Sequence, residues 1–144
     1  MKNFQKIKIN NSNWESTKQE IKNNQPYALW QGQNKLHEAL WCLADTAQNI
    51  LDKNIKDKNY QWARWHFARG LASCTFWWAS GRDFRKVFGP IAWNPDEVEK
   101  NINELARAIR SLQSPKTKND KITFEKLQNQ TKALLWQIHW KKFA

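Results

Sequence analysis

Residues 60–81 read Tyr60-Gln-Trp-Ala-Arg-Trp-His-Phe-Ala-Arg-Gly-Leu-Ala-Ser-Cys-Thr-Phe-Trp-Trp-Ala-Ser-Gly81 and hold four of the ten tryptophans of the chain. Apolar side chains fall on nearly every side of this stretch, so as a helix it must be buried or face a partner. Ala63, Phe67, Gly70, Cys74 and Trp77 or Trp78 recur at steps of three and four, which predicts one continuous helix with a packing seam. Small residues at Ala63, Gly70, Ala72 and Ser73 admit a close neighbour. Gly70 weakens a helix interior by about 1 kcal/mol relative to Ala, so close packing there must offset that loss. Gly81 is the expected stop.

Outward from this segment the helical period is clear on both sides. Leu36, Leu40, Leu43, Ala44, Ala47, Ile50 and Leu51 predict a helix from about Asn34 to Lys53. Asn94-Pro95-Asp96-Glu97 is a strong helix start, with Asn94 as cap, Pro95 in the first turn and acids at the positive end. Val98, Ile102, Leu105, Ala106, Ile109 and Leu112 carry that helix to a stop near Pro115. A last helix begins at Asp120 or Thr123 and turns Phe124, Leu127, Thr131, Leu134, Leu135 and Ile138 inward. Residues 1–25 form a basic arm with one weak helix, whose capping box pairs Ser12 with Glu15. Residues 26–32 are an apolar connector that should dock on the core, and residues 82–93 an aromatic loop.

No alternating strand pattern of useful length occurs. The expected fold is all-α, an antiparallel bundle of about four long helices over residues 26–144, plus the short N-terminal helix. No apolar run approaches the length of about 20 residues that spans a bilayer, and the first residues lack signal-peptide character. Cys42 and Cys74 are then expected to be reduced, buried thiols of a cytoplasmic protein. The net charge of +11 is spread through the chain, at +3 over residues 1–58, +4 over 59–93, −1 over 94–112 and +5 over 113–144. Dispersed lysine aids solubility without defining a site.

Catalytic signatures are missing. His37, His66 and His139 belong to three different expected helices, and neither cysteine has ligand spacing to another ligand, so no metal or other cofactor is implied. Cys74 is surrounded by apolar residues, where a thiol is inert packing. Ser73 and Ser80 have no nucleophile elbow, and Asp96, Glu97 and Glu99 sit where a helix start favours acids anyway. Arginine–tryptophan interleaving remains: Trp62, Trp65, Trp77 and Trp78 cannot all point inward from one helix. The surplus can stack on sugars, bases or the apolar face of a partner.

The segments Pro26-Tyr27-Ala28-Leu29-Trp30, Asn34-Lys35-Leu36-His37 and Trp62-Ala63-Arg64-Trp65-His66 through Ser73-Cys74-Thr75-Phe76-Trp77-Trp78-Ala79-Ser80 resemble part of a known family. They are similar to the helical region that follows the catalytic barrel in glycoside hydrolase family 57-like, polysaccharide-processing bacterial proteins. The resemblance implies a non-catalytic accessory domain that packs on a barrel and helps wall a glycan groove, since the barrel and its carboxylates are absent here. It implies a separate catalytic-barrel chain or a glycan as partner. Trp65, His66, Arg69, Trp77, Trp78 and Ser80 become the candidate ligand- or partner-binding residues. The alternative is a basic, tryptophan-rich module for nucleic acid or a protein. A third reading is a purely structural bundle with every tryptophan buried.

Overall fold

The computed structural model describes residues 16–31, 34–80 and 93–143. Among these residues six α-helices and a 3-10 turn follow one another: α1 Lys18–Lys22, α2 Lys35–Lys53, α3 Tyr60–Gly70, α4 Ser73–Trp78, α5 Pro95–Ser111, the turn Pro115–Thr117, and α6 Lys118–Phe143. Strands are absent among the described residues, and the all-α bundle expected from the periodicity is what forms. No helix among them is long and apolar enough to cross a membrane.

The helix starts follow local chemistry. Asn34 and Asn94 each accept a hydrogen bond from the backbone N–H three residues on, and Pro95 occupies the first turn of α5. At α1 the capping box is Thr17 with Glu20, while the expected Ser12–Glu15 box lies outside the described residues. The expected stop at Gly81 and the loop before Trp93 lie outside them as well. Helix α6 begins at Lys118, earlier than the apolar stripe suggests, because the Pro115–Thr117 turn leads straight into it.

Helices α2 and α5 form the centre, with α3 and α6 packed on opposite flanks of the pair. Leu36, Leu40, Leu43 and Leu51 of α2 meet Val98, Ile102, Leu105 and Ile109 of α5 in one buried cluster, closed by Phe67 and by Phe124 and Leu135. Antiparallel order is visible in the cross-links: Asn59 pairs with Ser111 and His66 with Glu104, while Arg110 pairs with Glu125 and Glu99 with Lys132. At one end Asp57 joins the α2–α3 turn to the α5–α6 turn. Its carboxylate accepts from the backbone N–H groups of Asn59, Gln113 and Ser114. Burial pushes that carboxyl up, but the three donors outweigh it and hold it below the usual range.

The central expectation of a single helix over residues 60–81 is corrected. The chain breaks at Leu71 and Ala72, where Ala72 adopts ψ 125, and a separate short helix α4 follows. A continuous helix could present only one face to α2 and α5. The break re-aims the second half so that Thr75, Phe76 and Ala79 are also buried. Phe76 stacks on Trp41 with centroids 4.3 Å apart, and its carbonyl accepts from His37 Nε2 at 2.7 Å. Burial holds the His37 imidazole below its ordinary pKa, with the bond to Phe76 acting the other way. Asn34 adds a clasp by donating to the carbonyls of Ala79 and Ser80.

The seam is shortened accordingly. Ala63, Phe67 and Gly70 are buried, whereas Ala72 and Ser73 are exposed. The expectation of buried cysteines also fails: both are free thiols, but Cys42 is exposed and Cys74 half-buried. Cys42 falls one position past the α2 stripe, with Thr46 donating to its carbonyl on the solvent side. The connector docks as expected, burying Ala28 and Leu29.

Candidate functional site

Helix α3 carries its surplus aromatics on the side facing away from α2. Trp62 and Trp65, 54% and 47% exposed, lie one turn apart with ring centroids 4.8 Å apart and planes inclined by 4°. One turn further, the Arg69 guanidinium sits 4.6 Å from the centre of the Trp65 ring. Trp62 and Arg69 thus both lie against the Trp65 ring, one turn before it and one turn after it on the helix. The result is a three-member cluster of Trp62, Trp65 and Arg69 on the surface of α3. A guanidinium over indole contributes about 0.5–1 kcal/mol at an exposed site.

His66 lies beneath the stack and meets both indoles edge-on, at 5.0 Å from Trp62 and 4.9 Å from Trp65. Its Nδ1 donates to Glu104 Oε2 at 2.8 Å, which fixes the ring and hence the indoles resting on it. Glu104 also accepts from Arg69 Nε at 3.3 Å and from Arg107 Nη1 at 2.8 Å. The Glu104 residue is only 5% exposed. Burial pushes it up, yet the His66 bond and the neighbouring Arg107 and Arg69 charges outweigh that and hold it below the usual glutamate value. One buried acid thus positions both ends of the stack.

Beside Arg69 a cleft of 430 Å³ opens over the outer face of α5. Asp96, Lys100, Asn103 and Arg107 form its floor at helical spacing, between Glu104 on the α3 side and Glu99 on the α6 side. Glu99 accepts from Trp136 Nε1 at 2.6 Å and pairs with Lys132 at 2.5 Å. Burial raises this carboxyl, but the Lys132 and Trp136 donors and the Lys132 charge prevail and keep it low. Both carboxylates are therefore held ionised and saturated with donors, the opposite of a general acid, which needs a raised pKa. Among the described residues, no group of three His, Cys, Asp or Glu side chains is placed to hold a metal ion. The chemistry on offer is recognition: an aromatic stack, cations, carboxylates and an amide around one cleft.

The six residues singled out from sequence divide between two places. Trp65, His66 and Arg69 come together on α3. Trp77 and Trp78 belong to α4, where Trp77 stacks on Trp30 at 6.4 Å and Trp78 packs against the core. Ser80 follows α4 and is buried. The break at Leu71 and Ala72 is what separates the two groups. With Trp41, Trp62, Trp65 and Trp140 exposed, the reading in which every tryptophan is buried does not hold.

Sequence reasoning missed Glu104, the α5 floor and the part played by Trp136. Asn101, Glu104 and Ala108 form a second buried row at helical spacing beside the α5 stripe, but with two polar members it carries no apolar period for the sequence to show. No protein-family model matches the chain, and neither a curated protein nor a solved structure shows significant similarity to it.

Proposed function

We propose that this chain is a non-catalytic helical accessory domain of the cytoplasm that binds a neutral glycan, acting with a catalytic barrel carried on another chain. The observation that carries the reading is the junction at Arg69 between the Trp62–Trp65 stack and the α5 cleft. Indole faces suit the C–H side of a sugar ring, and ring hydroxyls both donate and accept. They therefore suit a cleft in which Arg69, Lys100 and Arg107 are matched by Asp96, Glu99 and Glu104. The resemblance read in the sequence of residues 62–80 implies the same kind of role. Saturated, ionised carboxylates support a binding rather than a bond-cleaving role.

A nucleic-acid module is the second reading, favoured by the +11 charge and the exposed indoles. A phosphate backbone approaching the cleft would meet three carboxylates, which argues against it. Titration calorimetry of the full chain with neutral α- and β-1,4-linked gluco-oligosaccharides tests the glycan reading. Binding is expected, and Trp62→Ala should weaken it about tenfold, the scale of one lost aromatic platform. Absence of binding to every oligosaccharide, together with a shift of single-stranded DNA, would transfer the site to the nucleic-acid reading.

A further inference from the structure

The cleft does not end at the α3 stack. The motif of two tryptophans with a histidine edge-on to both recurs on α6: His139 meets Trp136 at 5.5 Å and Trp140 at 4.9 Å, and the two indoles stack at 6.4 Å. Trp140 is the most exposed tryptophan of the described residues, at 59%. This second cluster reaches the cleft through Glu99, to which Trp136 donates. The first cluster reaches it through Arg69 and Glu104.

The cleft lining runs from Arg69 and Arg107 to Asp96 and Glu99, so one cluster adjoins it on each side. Since α3 and α6 flank α5 on opposite sides, and both run antiparallel to it, the route from Arg107 to Asp96 crosses from the α3 wall to the α6 wall. Those eleven steps along α5 cover about 16 Å at the α-helical rise of 1.5 Å per residue. That is far longer than a single sugar ring. The floor between them alternates in sign and includes the Asn103 side chain, a lining suited to successive uncharged units rather than to one charged group.

We propose that this path is a groove for a linear oligosaccharide, with an aromatic platform at each end: the Trp62–Trp65–Arg69 stack on α3 and the Trp136–Trp140 pair on α6. The proposal rests on the glycan reading above and extends it from one contact to a series of subsites. A short oligosaccharide occupies the α3 platform and the adjoining cleft. A longer one continues to α6 and gains the second platform, so affinity grows with chain length.

The test is calorimetry of the full chain with neutral 1,4-linked gluco-oligosaccharides of two and of six units, using the natural sequence, Trp140→Ala and Trp136→Phe. The six-unit ligand is expected to bind about tenfold more tightly than the two-unit ligand, as one further aromatic contact allows. Trp140→Ala, at an exposed position, should remove that gain. Trp136→Phe keeps a ring but deletes the bond to Glu99, and should reduce the gain in part; a cooperative thermal transition confirms that it folds. Equal affinity for both lengths, or a gain untouched by both variants, overturns the groove while leaving the glycan reading standing. If neither ligand binds at all, the glycan reading falls and the groove with it.

Discussion

Glu104 holds three donors from two helices on one buried carboxylate, and removing its charge tests how far the α3 platform depends on it. Glu104→Gln keeps the volume but removes the charge and leaves one amide oxygen to accept where the carboxylate offered two. Arg69 and Arg107 have side chains 49% and 61% exposed and can recover water, so the loss falls mainly on His66. Destabilisation of about 1–3 kcal/mol at neutral pH is expected, the range for a buried group left unsatisfied. The pH dependence has a definite sign. The folded-state pKa of Glu104 is depressed, so its contribution is present above the unfolded value of 4.5 and is lost as pH falls through the folded value. Urea denaturation from pH 7 to pH 3 should show the two proteins converging below about pH 4.5. A difference that stays constant to pH 3 would show that the carboxylate charge is not what stabilises the site.

Helix α3 owes its position to a missing side chain. A Cβ on Gly70 would lie 2.6 Å from Cγ and Cδ2 of Leu105 and 3.0 Å from its backbone nitrogen. The chain of α5 cannot retreat without disturbing Ile102 and Ile109, which are fully packed. Gly70→Ala should therefore destabilise by about 1–3 kcal/mol through overpacking, against an opposing helix-propensity gain of less than about 1 kcal/mol at this last helical position. Thermal or chemical denaturation gives the sign directly, and a more stable variant would mean that α3 does not approach α5 so closely. Much of this element was legible in the sequence: the Ala63, Phe67 and Gly70 spacing identified the seam. The break after it was not. Residues 60–81 contain no proline, and Leu71 and Ala72 are good helix formers; Gly70 is the one local mark of a bend, and its spacing fits the packing seam equally well. It arises from tertiary demand, since Phe76 reaches Trp41 and His37 only from a re-aimed helix. For the same reason Trp65, His66 and Arg69 could be read as one group from their spacing, whereas Trp77, Trp78 and Ser80 could not be told apart from them. Glu104 was harder still, because what identifies it is a partner 38 residues away.

At the scale of the whole molecule, charge is abundant and the cleft is nearly balanced, and the two facts lead to different binding behaviour. The formal charge of +11 makes some attraction to any polyanion unavoidable at low ionic strength. Lysines account for most of it, and several lie on α6 away from the cleft, including Lys118, Lys126 and Lys142. Attraction of this kind is diffuse. It depends on the release of counterions from the nucleic acid, so its strength falls as a power of salt concentration set by the number of phosphates neutralised. A neutral oligosaccharide releases none, and its contacts with indole faces and paired side chains are short-ranged and little affected by screening. We therefore expect a single-stranded oligonucleotide to shift weakly in electrophoresis at about 50 mM salt and not at about 200 mM, whereas calorimetric affinity for a six-unit gluco-oligosaccharide changes less than about twofold over that interval. Trp62→Ala separates the two further. It removes no charge, so it should leave the residual low-salt shift intact while weakening the oligosaccharide. The opposite pattern, a nucleic-acid complex that survives about 200 mM salt and is lost in Trp62→Ala, would mean that the stack receives bases, and that the acidic groups of the cleft tolerate a phosphate backbone.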